Sequence, residues 1–213
     1  MSIRTHSLAL IFFSLGFIQQ ASAASGASMV SCPKSAISSV PNVDMARVRS
    51  AWLSWYNEVR VGRKLQPYVY DANLDHSALL WSRHSANIAK SSHQREGTTA
   101  YYDYKAIERW FASLGLTFKN VSGTTFTENI GWGPYTCKKK DCTDELLKAI
   151  RTTFRFYVSE QHRKSNAHWK SMINPNFRKI GLGLVVKGGR YYLTVHFAAE
   201  ITAIQNVTCA AGS

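Results

Sequence analysis

Two histidines and two glutamates are the residues of this sequence best suited to chemistry: His93, Glu128, Glu160 and His168. His93 and His168 each fall where a helical pattern gives way to a loop, a place from which an imidazole can enter a cleft. Glu128 lies in Thr127-Glu128-Asn129-Ile130-Gly131-Trp132-Gly133, where a charge beside an isoleucine and two glycines is out of place on a plain surface. Glu160 follows Tyr157 by three residues and rides the edge of an apolar helix face. Neutral imidazole and carboxylate suit zinc or another divalent ion, with His93 and His168 as ligands and water completing the shell. Without a metal, a glutamate can orient a histidine and raise its pKa, giving an acid–base pair. Spacing by itself favours a third arrangement, a hydrogen-bonded polar cluster that fixes loops, because the four residues lie far apart in the chain. No two-histidine zinc helix and no Gly-x-Ser-x-Gly elbow occurs.

Of the other histidines, His76 and His84 lie eight apart on one helical pattern and read as solvent-exposed. His162 sits in a polar run and reads as solvated. His196 alternates with Val195 and Phe197 and reads as a strand-surface residue. Trp132, between Gly131 and Gly133, is expected at a rim with its ring exposed.

The elements that must position these residues are readable from periodicity. Asp44 is a helix cap, followed by Val48, Trp52, Trp55 and Val59 on one face and by Gly62 as the end. Asp71 starts a second helix with Leu74, Ala78, Trp81 and Ile88 inward. A third covers about 103–114 with Ile107, Phe111 and Leu114 on its face. A short strand lies near Glu128, and a fourth helix carries Leu147, Ile150, Phe154 and Tyr157. Asn174-Pro175-Asn176-Phe177 ends the helical turn that holds His168. Two strands, 180–186 and 191–197, then flank Gly188-Gly189, whose freedom at positive φ suits a tight hairpin. This order predicts an α+β fold, a three-layer α-β-α sandwich with a mainly antiparallel central sheet.

Residues 1–23 read as a signal peptide: Arg4, an apolar run from Leu8 to Ile18, and Ala21-Ser22-Ala23 before the cleavage point. The expected location is therefore outside the cytoplasm, extracellular or periplasmic, with no stable membrane span. Residues 24–43 read as a loose lead-in, 44–202 as one domain, and 203–213 as a tail. Four cysteines fit an oxidising compartment and allow three pairings. Cys137 and Cys142 enclose a short polar loop that a bond closes easily, and Cys32 with Cys209 would tie the ends. In the chain-entropy model the long closure is worth about 5 kcal/mol. The net charge of +13 favours anionic partners or simple solubility. The basic residues are scattered and carry no nucleic-acid motif, so no nucleic-acid partner is expected. Asn120 and Asn206 are glycosylation acceptors in a eukaryotic host.

Five segments follow one another in a set order: Tyr56-Asn57-Glu58-Val59-Arg60, residues 67–74, Thr127-Glu128-Asn129-Ile130, Tyr157-Val158-Ser159-Glu160, and His168 through Gly183. Together they resemble the CAP superfamily, also called SCP/TAPS, which includes cysteine-rich secretory proteins, antigen-5 proteins, class 1 pathogenesis-related proteins and bacterial secreted members. Tyr56-Asn57-Glu58-Val59-Arg60 is similar to the family's His-Asn-x-x-Arg, with tyrosine for histidine. Residues 67–74 resemble Pro-Leu-x-Trp-Asp-x-x-Leu. Thr127-Glu128-Asn129-Ile130 resembles Gly-Glu-Asn-Ile, and Tyr157-Val158-Ser159-Glu160 resembles Trp-x-x-Glu. His168 through Gly183 is similar to the bacterial form of the second histidine motif. The resemblance implies the sandwich with a central cleft and a tetrad of His93, Glu128, Glu160 and His168. His84 is the nearest competitor of His93. In relatives the cleft can hold a divalent ion, and members are associated with lipid binding. The expected function is binding of a lipid or envelope ligand without catalysis. The alternatives are a metal-assisted hydrolase with Glu128 or Glu160 as general base, and an adhesive or structural envelope protein.

Overall fold

Three aspartates begin the helices at positions that the sequence marks. Asp44 Oδ1 accepts from the N–H groups of Ala46 and Arg47 at the start of α1 (Met45–Gly62). Asp71 does the same for Asn73 and Leu74 at α2 (Ala72–Asn87), and Asp103 for Ala106 at α3 (Tyr104–Ser113). Each side chain satisfies backbone donors that a helix start leaves open. The computed structural model describes residues 40–204. The expected signal peptide, residues 24–39 of the lead-in, Asn206 and the Cys32–Cys209 bond lie outside them.

Strand β1 (Val69–Tyr70) precedes α2, and β2 (Leu116–Lys119) and β3 (Phe126–Pro134) follow α3. Then come α4 (Thr143–Ser159), a 3₁₀ turn (Glu160–His162) and α5 (Ala167–Ile173). The chain closes with β4 (Lys179–Lys187), β5 (Arg190–Ala198) and β6 (Glu200–Ile204). The main sheet runs β1-β4-β5-β3; only the β1–β4 pair is parallel. Strands β2 and β6 form a separate antiparallel ribbon. Gly188 and Gly189, with φ of 58° and 72°, make the two-residue turn between β4 and β5.

Alternation along β5 splits the core in two. Leu193, Val195 and Phe197 pack with Ile180, Leu182 and Leu184 against α1, α4 and α5, which supply Trp52, Tyr56, Ile150, Tyr157 and Met172. The opposite face carries α2 and α3: Tyr192 and Val185 meet Leu79 and Ala86, while Ile107 and Phe111 meet Phe126. Helix α2 rests directly on Gly183, where an added Cβ would stand 2.0 Å from the Ala78 carbonyl carbon. The result is the α-β-α sandwich. Ile88 departs from expectation: it caps the end of α2 and is 50% exposed, because the helix stops before it can turn inward.

Two residues of the opening motif hold the loops that aim the site. Arg60 is fully buried and donates to the carbonyls of Gln66, Met172, Asn174 and Phe177, which anchors the end of α5 to α1. Its guanidinium lies 4.0 Å from the Tyr68 ring centroid. Asn57 exchanges hydrogen bonds with the backbone N–H and C=O of Tyr68. The Cys137–Cys142 disulfide forms just before α4.

Candidate functional site

Glu128 enters from β3 and is fully buried, yet all its lone-pair directions are occupied. Arg95 donates twice, Nη1 to Oε1 at 3.2 Å and Nη2 to Oε2 at 2.7 Å. His93 Nδ1 donates to Oε1 at 2.8 Å, and His196 Nε2 to Oε2 at 2.8 Å. Burial pushes this carboxyl up, but the Arg95 charge and the two imidazole bonds outweigh it and hold it well below the usual range. The guanidinium is held in turn by Trp81, 3.4 Å from its ring centroid, and by the carbonyl of His93 at 2.9 Å. His93 is thus placed by a loop without regular structure that Arg95 and Trp81 pin down; Trp81 Nε1 donates to the Ser92 carbonyl at 3.0 Å.

Glu160 and His168 form the second half. Glu160 sits where α4 passes into the 3₁₀ turn and is buried. Its Oε1 accepts from His168 Nδ1 at 2.7 Å, and its Oε2 accepts from the backbone N–H of His168 at 3.1 Å. Asn166, the cap of α5, makes no side-chain cap bond, so Glu160 serves the first turn of α5 in its place. The His168 ring stacks on Tyr157 with centroids 4.5 Å apart. Asn129, one residue after Glu128, donates to the His168 carbonyl at 3.2 Å.

The structure brings His93, Glu128 and His168 to the wall of one cavity of about 450 Å³, with Tyr102, Tyr104 and Phe126. Glu160 stands behind His168. A second cavity of about 520 Å³ meets the first at His168 and is lined by Trp132, Phe156 and Tyr101. Trp132 is 50% exposed at this rim, as its flanking glycines suggest.

Three expectations are corrected. His196 is not a surface residue but fully buried. Strand β5 is flanked by β4 and β3 and covered on both faces, so alternation there separates two interiors rather than core from solvent. Burial lowers the His196 pKa against the pull of Glu128. The carboxylate can only accept, so Nε2 carries the proton; Ser77 Oγ, which donates to the Leu74 carbonyl at 3.0 Å, lies 2.8 Å from Nδ1. His84 is half-buried: it stacks on Trp81 at 4.5 Å and lines a different hollow, not the cleft. His76 is likewise half-buried. His162 is exposed as expected, and Asn120 is exposed in its loop. Sequence reasoning misses Arg95, His196 and Ser77. The register of β3 against β5 sets Glu128 opposite His196, while Arg95 is placed by its stacking on Trp81 and Ser77 by the packing of α2 on the sheet.

Each histidine gives Nδ1 to a glutamate, which leaves each Nε2 without a protein partner among the described residues. That carboxylate–imidazole backing is the arrangement found behind metal-binding histidines. No group of three His, Cys, Asp or Glu that could hold a metal ion gathers among the described residues. None of the described helices is long and apolar enough to cross a membrane.

Residues 53–199 match the model of the cysteine-rich secretory protein family, CAP. Among solved structures, an outer surface protein from Borrelia burgdorferi is 15% identical with a TM-score of 0.51, covering 74% of this chain and 96% of that one. A structure of NaASP2 with Zn2+ is 12% identical, TM-score 0.49, over 79% of this chain and 84% of its own. The CAP domain of enterococcal PrgA is 16% identical, TM-score 0.47, over 74% and 61%. No curated protein matches the sequence.

Proposed function

This chain belongs to the cysteine-rich secretory protein family, and from that premise we propose that it is a secreted binding protein whose cleft holds a lipid or another envelope component without transforming it. The observation that carries this reading is the state of the two glutamates. Glu128 accepts from four donors, and Glu160 is engaged by the His168 ring and by the start of α5. A general base needs a free lone pair and a pKa near the working pH. Glu128 has neither, since Arg95 and its imidazole partners hold it well below the usual carboxylate range. The glutamates act as positioning residues for His93 and His168.

The free Nε2 atoms of His93 and His168 are the groups left to meet a ligand. A divalent ion such as zinc, when bound there, would supply a Lewis-acidic contact for an anionic or carbonyl oxygen of that ligand. With only two protein ligands, its affinity is expected to be about micromolar at best. The signal-like N-terminus supports export, and the basic surface supports residence near an anionic envelope.

Calorimetry tests the reading. Metal-free protein titrated with zinc at neutral pH is expected to give heat that His93→Ala or His168→Ala removes. No heat from the unmodified protein, or the same heat from both variants, would count against it.

A further inference from the structure

Strand β3 is the edge of the main sheet, and no described strand pairs with its outer side. Yet all nine of its residues lie in the cleft: 126–129 line the first cavity and 130–134 the second. The two cavities thus form one groove that follows an unpaired strand edge. At about 3.3 Å per residue that edge is roughly 30 Å long. An edge strand presents N–H and C=O groups at alternate residues; the Tyr102 hydroxyl already meets the backbone of Glu128, and the remaining edge groups in a largely apolar groove call for partners.

The groove has two walls set by the pleat. On one side stand Phe156, Tyr157 and His168 from α4 and α5; Gly131 faces this side, where an added Cβ would meet Thr153 and Tyr157. On the other stand His93, Tyr101 and Trp132; Trp132 pairs in register with Tyr192 and shares the face on which Glu128 opposes His196. The side chains of a strand alternate between two faces, so those of an added strand would fall in turn on these two walls.

We propose that this groove takes an extended acidic peptide, which adds to β3 as a further strand. The inference rests on reading the cleft as a ligand site, and of the lipid or other envelope component named there it selects the second, as a peptide. Main-chain bonds to β3 supply affinity, and Trp132, Phe156 and Tyr101 supply pockets for alternate side chains. Charge selects the acidic character. Lys170 lines the groove, Arg190 lies 4.4 Å from the Trp132 ring centroid, and Arg163 lies 5.4 Å from that of Phe156. Among the described residues, Glu128 is the one carboxylate in the lining, and Arg95 matches it. An acyl chain suits the groove less well, because its exposed large side chains are aromatic and polar-edged rather than aliphatic.

The probe is a nonapeptide selected from a random phage-displayed library on the full-length protein. Two N-methylated versions follow, blocking alternate amides in one phase or the other. Blocking the phase that faces β3 is expected to weaken binding by about tenfold or more, since several main-chain bonds are lost, while the other phase binds as before. Trp132→Ala is expected to weaken the same peptide by about tenfold. The proposal is overturned if no peptide is selected, if both phases bind alike, or if Trp132→Ala changes nothing. Phosphatidylglycerol vesicles or acidic hexasaccharides that occupy the groove in place of any peptide overturn it too. So does peptide binding that appears only after residues 205–213 are removed, which would assign the groove to this chain's own terminus. Zinc calorimetry on the same protein separates the two readings. Failure with peptide but uptake of zinc through His93 and His168 removes only the peptide; failure of both removes the ligand site.

Discussion

Glu128 on β3 and His196 on β5 stand opposite each other in register and meet at 2.8 Å, with both side chains closed off from solvent. Arg95 supplies the charge that makes this ionised contact possible. The cluster they form is the rigid back wall against which His93 is set. Its energetics therefore reach the cleft, although neither His196 nor Arg95 is needed to touch a ligand.

Arg95→Leu should destabilise the protein by about 3–5 kcal/mol, because it strands a buried carboxylate without its cation. Urea unfolding measures this. A companion Glu128→Gln in the same background should recover part of the loss, since the stranded charge is then gone. Equal stabilities of Arg95→Leu and the unmodified protein would contradict the assigned role.

Stability should fall in two stages as pH drops. His196 is depressed by burial below its ordinary value of 6.5, so the unfolded chain takes up a proton first and the fold loses stability as pH falls below about that value. Glu128 is held well below its ordinary value of 4.5, so a further loss begins as pH falls below that value. In both cases the stabilising contribution is fully present above the unfolded pKa. Melting temperatures recorded from pH 8 to pH 3 test this. The first stage should flatten in His196→Asn and the second in Glu128→Gln.

Gly183→Ala should be among the most damaging single methyl additions. Its Cβ would lie 2.0 Å from the Ala78 carbonyl carbon, within the backbone of α2, and neither element can yield easily. Overpacking of this kind costs about 3 kcal/mol or more. Gly62→Ala is the matched control: its Cβ meets nothing within 4 Å, and a shift within about 1 kcal/mol is expected from helix propensity.

Replacing Cys137 and Cys142 together by alanine should cost about 2 kcal/mol in chemical denaturation, the chain-entropy value for so short a loop. Zinc uptake should survive, because the bond lies outside the walls that carry His93 and His168. Loss of zinc uptake in that variant would mean that the loop shapes the cleft.

Much of the fold is legible in the sequence because local signals agree with the global packing. Asp44, Asp71 and Asp103 mark helix starts in the chain and cap helices in the structure. Gly188-Gly189 marks the hairpin and makes it. His93, Glu128, Glu160 and His168 stand out in the sequence, and the structure pairs them as His93 with Glu128 and His168 with Glu160. What escapes is the partner set of Glu128. Period-two alternation tells which residues share a face but not whether that face meets water, so His196 reads outward. Arg95 gives no local signal, since its placement follows from stacking on Trp81, a contact made by tertiary packing. His84 misleads for a related reason, because Trp81 covers it from one turn away.

Crystals grown with zinc offer the most direct test that His93 and His168 turn their free nitrogens to one ligand. The account predicts anomalous density about 2.0–2.1 Å from Nε2 of both rings, with Nδ1 of each still on its glutamate. Density confined to exposed His162, or rings rotated so that Nδ1 faces the cavity, would contradict it.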